Sequence, residues 1–410
     1  MADLLPVSDA RAAVLAEVVA PLPAEPVPLD HALGRVLAGD AVSAEDVPGW
    51  DNSAMDGFAV RAADTAGATA QAPAVLRLAS ESRAGSPAPV SLGAGEAFGI
   101  STGAVVPAGA DAVVRVEDTS SEGDLVRIAA EVEAGRDIRR AGEDIRSGDT
   151  VIRAGSVLGS AELGVLASIG VAEPECRRRP TVAIVSTGDE LLAPSEPMRD
   201  GGVRNSNAYT LPALARLAGA EVVSVERCPD NPDATREAAA RATRADVAVF
   251  CGGVSVGEHD HVKEAFATAG VDERFWGVAL RPGKPTWFGT HGGGLAFGLP
   301  GNPVSAVVTF ILFVRPAMRA LQGAPADLDT VDVALASDVP RMERRDQAVR
   351  CGLTATAQGW VATATGPQGS HVLTSMLGAD ALAVIDAGVE PAAAGSKVRA
   401  ELLRVPSGIE

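Results

Sequence analysis

Three short stretches place glycines, carboxylates and hydroxyls directly after apolar runs. Thr181 to Ser186 leads into Ser186-Thr187-Gly188-Asp189-Glu190, and Val247 to Cys251 into Gly252-Gly253-Val254-Ser255-Val256-Gly257. Leu295 to Gly298 leads into Gly298-Leu299-Pro300-Gly301-Asn302-Pro303. In an open parallel α/β sheet, ligands sit beyond the carboxyl ends of the strands, where such loops present backbone N–H groups and polar side chains. Three of them on one rim would make a site.

Each loop has a chemical use and a plainer one. Gly252, Gly253 and Gly257 lack the Cβ that would hold a phosphate off the backbone, so this turn could wrap an anion; it could equally be an ordinary strand-to-helix turn. Asn302 can cap a helix whose first turn takes Pro303, leaving free N–H groups aimed at the crevice. Asp189, Glu190, Asp230 and Asp260 collect carboxylates at the same rim, either as helix caps or, beside a phosphate, as oxygen donors for Mg²⁺. His259 and His261 flank Asp260, but an H-x-H pair across a helix start points its rings apart, which argues against zinc. The chain has only three lysines, Lys263, Lys284 and Lys397. Arg281-Pro282-Gly283-Lys284-Pro285 is therefore conspicuous: two prolines and a glycine would hold both cations at a small oxyanion at little entropic cost. Arg139 and Arg140, followed by Gly142, Glu143 and Asp144, form a second stiff mixture of charges. Asp51 and Asp56 in DNSAMDGF lie in a dense polar turn, as turn formers or as ligands.

These residues need a framework. With 410 residues, 47% hydrophobic and 21% charged, the chain can build several domains, at about 150 residues each. Ser8 can cap one amphipathic helix with Val14, Leu15, Val18 and Val19 on its apolar face, ended by the connector of Pro21, Pro23, Pro26 and Pro28. From 27 to about 138 short apolar runs between Gly, Pro and Asp clusters read as mainly β. Turn signals then precede a helix from Ser160 to Ile169, ended by Gly170, which is expected to pack with the first helix. From 180 to about 323 strands at 181–186, 221–225, 247–251 and 295–298 alternate with helices near 206–218, 233–243, 260–269 and 303–319, which implies a parallel sheet with helices on both faces. After 328 the pattern is all β, a small closed or nearly closed sheet.

Composition narrows the partners. A formal net charge of −18 and 3% aromatics disfavour nucleic acid. Four cysteines without a C-x-x-C pair fit a reducing cytoplasm. The acidic N-terminus is unlike a signal peptide, and the apolar stretch around 304–314 is too short for a bilayer that needs about 20 residues; no membrane is expected.

DNSAMDGFAV at 51–60, STGDEL at 186–191, GGVSVGEHD at 252–260, RPGKP at 281–285, GLPGNPVSA at 298–306 and GPQGSH at 366–371 resemble, in order and spacing, the molybdopterin molybdenumtransferases. That family includes bacterial molybdate-insertion enzymes and the E domain of gephyrin. The resemblance spans nearly the whole chain. It implies a multidomain α/β plus β fold: a discontinuous helical linker and dimerisation region at 1–26 and 138–178, an inserted β-rich domain at 27–137, a doubly wound, mostly parallel α/β domain at 179–323, and a small β-barrel at 324–410, paired as a homodimer.

The implied reaction joins molybdenum from molybdate to the dithiolene sulfurs of adenylyl-molybdopterin, with Mg²⁺ as cofactor, and releases AMP. Catalytic roles would fall to Asp56, Glu190, Asp260 and Lys284, with Glu190 and Asp260 on the metal. Substrate contacts would come from Thr102, Arg139, Asp144, Thr187, Gly188, Asp230, Gly252, Gly253, Ser255, Gly257, Arg281, Gly283, Pro300, Gly301, Asn302, Pro303 and Ser370. Arg281 stands where many relatives carry Lys, so a planar fork replaces a point donor. Self-association, a molybdopterin adenylyltransferase and apo-molybdoenzymes are the implied protein partners. The competing readings are a molybdopterin-binding scaffold and adenylyl transfer itself; the second would use only the 180–323 portion.

Overall fold

The structure, a computed structural model, describes residues 4–254 and 261–406. Its centre is a six-stranded sheet of β7 (Thr181–Thr187), β8 (Glu221–Cys228), β9 (Val247–Cys251), β10 (Asp272–Trp276), β11 (Trp287–His291) and β12 (Gly294–Leu299). The order is β8-β7-β9-β12-β11-β10. The first four are parallel neighbours, and β11 and β10 continue the sheet antiparallel. The sheet is mostly parallel, as expected, with two antiparallel strands at one edge that the strand–helix alternation did not include. Trp287 and Phe288 sit next to the stiff RPGKP turn, which hides their strand pattern from a sequence reader.

Alternation along β7 decides which helix covers which face. Val182 and Ile184 pack with α3 (Asn207–Leu217) and α6 (Pro303–Leu321), whereas Ala183 and Val185 face α4 (Pro232–Ala242) and α5 (Val262–Thr268). β9, covered on both faces and flanked on both sides, is buried throughout. α6 is a continuous helix of 19 residues, with a π turn at Phe310–Val314. It is thus long and apolar enough to cross a membrane, unlike the shorter stretch read from sequence, but 89% of it is buried inside the protein and it serves as the core helix.

The β-rich segment forms a second six-stranded sheet from β1 (Gly57–Val60), β2 (Ala74–Ser82), β3 (Glu96–Ile100), β4 (Ala112–Arg115), β5 (Thr119–Glu122) and β6 (Leu125–Ile128), in the order β4-β1-β3-β2-β6-β5. The C-terminal strands β13 (Thr330–Leu335), β14 (Asp346–Thr356), β15 (Gly359–Ala364), β16 (Ala381–Ile385) and β17 (Lys397–Leu402) close into a barrel when β16 pairs back onto β14. Leu280–Arg281 adds to its edge at Asp346–Gln347.

The first helix, α1 (Val7–Ala16), departs from expectation twice. It starts one residue before Ser8, whose hydroxyl bonds Asp9 instead of capping, and Val19 is exposed. Nor does it pack with α2 (Ser160–Ser168). Val7, Ala10 and Val14 bury against α6, while Leu158, Leu166 and Ile169 share a core with Val27, Ala32 and Leu37. What fixes α1 is charge as well as burial. Glu401 of the barrel, 3% exposed, accepts from Arg11 at 2.5 Å and from the buried Arg315 of α6 at 2.8 Å, joining three elements. Removing one partner of so buried a set leaves an uncompensated charge, at a cost of about 3–5 kcal/mol.

At the sheet end opposite the loops, Asp246 ties β7 to β9. It accepts two bonds from Arg178, both at 2.8 Å, and the Thr181 N–H and hydroxyl at 2.7 Å each. Burial alone would raise its pKa, but these hydrogen bonds prevail and hold it at about 2, below the ordinary 3.8. The sign follows: a depressed carboxyl contributes stability above the unfolded pKa and loses it as pH falls through the folded one. Asp246→Asn should cost about 2 kcal/mol at neutral pH, read from urea midpoints, and the difference between the two proteins should vanish between pH 4 and pH 2.

Candidate functional site

The three sequence-marked loops converge on one cleft of about 490 Å³ at the carboxyl ends of β7, β9 and β12. Thr187, Gly188 and Glu190 line it from the first loop, Gly252, Gly253 and Val254 from the second, and Pro300, Gly301, Asn302 and Pro303 from the third. Asp230 joins from the end of β8. Ser255, Gly257 and Asp260, together with His259, lie outside the described residues.

The close approach of the loops explains the glycines. Gly252 has φ +97°, and a Cβ there would stand 2.8 Å from Thr187 Oγ1 and 2.9 Å from its carbonyl oxygen. A Cβ on Gly188 would meet the Glu190 carboxylate at 2.5 Å, so the missing side chain is the space that carboxylate occupies. Gly283 is different: it is buried, and a Cβ would meet Thr309 of α6 at 2.6 Å, which makes it a packing glycine.

Several residues have other jobs than those read from sequence. The cap of α4 is Asn231, whose side chain accepts from Asp233 and Ala234, so Asp230 is not a cap; it exchanges bonds with Asp189 instead, each backbone N–H reaching the other's carboxylate at 3.2–3.4 Å. Asn302 occupies the first cap position of α6 without a capping bond. Its amide donates to Ser370 Oγ at 3.3 Å, bringing the barrel's GPQGSH loop to the rim. That loop is held by Arg350, wholly buried, which donates to the carbonyls of Pro367 and Gly369 and to Ser375 Oγ.

The two cations of RPGKP do not share a pocket wall. Pro285, next to the exposed Lys284, lines the cleft, whereas Arg281 lines a second cavity of about 400 Å³ against the barrel, with Gln347, Gln368 and Gly369. The edge pairing of Arg281 with Gln347 draws it that way. Asp56, Thr102, Arg139 and Asp144 belong to a separate, exposed locus. Asp56 accepts from the Thr102 N–H at 2.7 Å and its hydroxyl at 3.1 Å, and Arg139 pairs in register with Asn52. Nearby, Asp51 accepts from the Ala141 N–H and from Arg140, which together lower its pKa. No residue of this locus lines the cleft.

Sequence reasoning missed part of the floor. Ser186, Arg204, Asn205, Asn207 and Cys251 all line the cleft. Ser186 Oγ, Thr187 Oγ1 and Asn207 Oδ1 are buried without a hydrogen-bond partner. Buried oxygens of this kind are costly unless a ligand or water meets them. The signal that could have found Asn207 is the polar tripeptide Asn205-Ser206-Asn207 at a helix start. Cys251 is fully buried, and burial pushes its thiol up to about 12.

Glu190 and Asp230 supply two cleft-facing carboxylates. Among the described residues no group of three or more His, Cys, Asp or Glu could hold a metal alone. Two carboxylates completed by phosphate oxygens and water is, however, the donor set Mg²⁺ prefers, so the residues present fit that ion only together with a phosphate ligand.

Two outcomes test this geometry. Gly252→Ala should lower stability by about 1–3 kcal/mol in urea titrations, since neither φ nor the Thr187 contact tolerates a methyl group. All four thiols, buried and unpaired, should be nearly inert to a thiol reagent at pH 8 and react fully once the chain is unfolded.

Comparisons with known proteins agree along the chain. Residues 5–170 match the family model described as MoeA N-terminal region (domain I and II), 183–320 that of a probable molybdopterin binding domain, and 332–403 that of MoeA C-terminal region (domain IV). Molybdopterin molybdenumtransferase 2 of Mycobacterium tuberculosis is 38% identical over 91% of this chain and 93% of its own. The molybdopterin molybdenumtransferase of a Nostoc species is 38% identical over 76% and 73%. A crystal structure of the molybdopterin biosynthesis moeA protein of Pyrococcus horikoshii superposes with a TM-score of 0.83 at 29% identity, covering 98% of this chain and all of that one.

Proposed function

The chain belongs to the molybdopterin molybdenumtransferase family, and from that premise we propose that its cleft holds adenylyl-molybdopterin, takes up molybdate and releases AMP as molybdenum joins the dithiolene sulfurs. The observation that carries this is the convergence of three loops on a floor of unpartnered buried oxygens, lined by backbone of Gly252, Gly253 and Gly301. The free N–H groups expected at the glycine turn and the helix start are taken at Gly252 by the Leu299 carbonyl and at Val304 by the Ser370 carbonyl, so the partnerless Ser186 and Thr187 hydroxyls are the donors that suit the phosphate of an adenylate.

The residues divide the work by charge. Ser186, Thr187 and the turn after β9 would bind and orient the phosphate, while Lys284 would hold the molybdate dianion beside it as a point donor. Glu190 and Asp230 carry the oxygens that would hold Mg²⁺, with Asp260 a further candidate by sequence. Bound there, the ion would neutralise charge on the phosphoanhydride oxygens as a Lewis acid. Asn302 and Ser370 close the rim from the barrel side and limit water entry.

The Asp56–Thr102 locus fits a homodimer in which it completes the cleft of the other subunit, because within one chain it contributes nothing to the cleft wall. A cytoplasmic setting accords with four unpaired cysteines. Molybdopterin adenylyltransferase as supplier and apo-molybdoenzymes as acceptors follow from the chemistry of substrate and product.

The direct test is AMP release from adenylyl-molybdopterin in Mg²⁺ with and without molybdate. Molybdate should stimulate release; no release at all would turn the reading toward a scaffold. Lys284→Ala should reduce the molybdate-dependent rate about tenfold or more with an unchanged melting temperature. Asp56→Asn should also lose activity, and mixing the two inactive variants should restore part of it if the cleft is shared between subunits. Lack of complementation would remove the dimeric site.

A further inference from the structure

Asn207 opens α3 at the cleft floor and is 7% exposed. Its Nδ2 donates to the Gly301 carbonyl at 2.8 Å and to Cys251 Sγ at 2.9 Å. Cys251 in turn donates to the Pro300 carbonyl at 3.2 Å. One side chain therefore touches the end of β9 and the loop after β12, and it lies two residues after Asn205, whose N–H donates to the Leu192 carbonyl beyond the first loop. The orientation of the amide is not arbitrary: a backbone carbonyl only accepts, so the nitrogen must face Gly301 and the oxygen must face away. That oxygen, Asn207 Oδ1, is buried and has no partner. A residue present for stability alone would have both ends of its amide paired.

We propose that Asn207 is a positioning residue of the cleft, whose amide holds the Gly301 carbonyl and thereby sets the backbone of the Pro300–Pro303 turn for a nucleotide phosphate. The inference rests on the reading of the cleft as a nucleotide site. It turns on one property, a hydrogen-bond donor facing Gly301, and this property can be made to depend on pH. Asn207→Asp keeps the shape. When protonated, its carboxyl still has an O–H to give to Gly301; when ionised, it sets an anion against that carbonyl. Burial favours the protonated form and moves the change into the neutral range.

The groups around it do not confuse the comparison. The Cys251 thiol, pushed up to about 12 by burial, keeps its proton throughout. Glu190, Asp230 and Arg204 line the same cleft in both proteins. Their contribution, and that of the phosphate itself, enters both affinities and is divided out in the ratio of variant to wild type.

The probe is AMP with Mg²⁺, measured by calorimetry on the full chain from about pH 5.5 to 8.5, either side of a buried carboxyl. The Kd ratio should be near one at the acid end and rise to about tenfold or more at the alkaline end. A ratio that stays flat overturns the proposal. Should the aspartate variant not fold, Asn207→Ala should weaken AMP about tenfold at every pH with little change in melting temperature, and wild-type affinity would overturn it. Failure of the wild type to bind AMP is a different result: it removes the nucleotide reading first, and this inference with it.

Discussion

The approach of the Gly252–Gly253 backbone to Thr187 is the constraint on which the site depends. Two parallel neighbours, β7 and β9, end at the same height, and their loops can turn over the same floor only if one lacks side chains. A Cβ at either glycine would come within about van der Waals overlap of the Thr187 hydroxyl, at 2.8 and 3.0 Å. What the glycines forgo in stability, through their conformational freedom when unfolded, leaves backbone exposed to a ligand. The Asp246 cluster at the far end of the same two strands supplies rigidity where no ligand is needed.

From that floor the structure builds outward through a few polar ties. Asn302 reaches Ser370, and the loop bearing Ser370 hangs on the buried Arg350, whose own partners are carbonyls and a hydroxyl. Burial without a carboxylate lowers the pKa of that guanidinium below its ordinary value, but its bonds to the Pro367 and Gly369 carbonyls pin GPQGSH. Glu401, shared by Arg11 and Arg315, locks α1, α6 and the barrel in one arrangement. The barrel is therefore part of the rim, held there by hydrogen bonds and ion pairs.

Charge is distributed with the same economy. A chain of net charge −18 would need cations placed locally to hold the anionic substrate proposed for it. Lys284 is exposed next to Pro285 of the cleft wall, while Arg281 lines the second cavity between its own strand and the barrel. Asp56, Thr102, Arg139 and Asp144 are exposed away from the cleft, Asp56 bonded to Thr102, Arg139 paired with Asn52 and the Asp144 N–H bonded to the Val47 carbonyl.

The residues at strand ends were legible from sequence because their signal is local: apolar runs of strand length, followed at once by Gly, Asp or Asn, define β7, β9 and β12 and the loops beyond them. The four helices and the β character of both flanking regions follow from periodicity in the same way. Tertiary structure alone decided what depends on distant partners. Whereas the antiparallel β11 and β12 are a local hairpin over Gly292–Gly293, the docking of α1 on α6, the closure of the barrel and the diversion of Arg281 to the barrel edge all arise from pairings between segments far apart in the chain. So do the orphaned oxygens of Ser186, Thr187 and Asn207: a hydroxyl or amide looks the same in a sequence whether paired or not, and only packing determines which partners are within 3 Å.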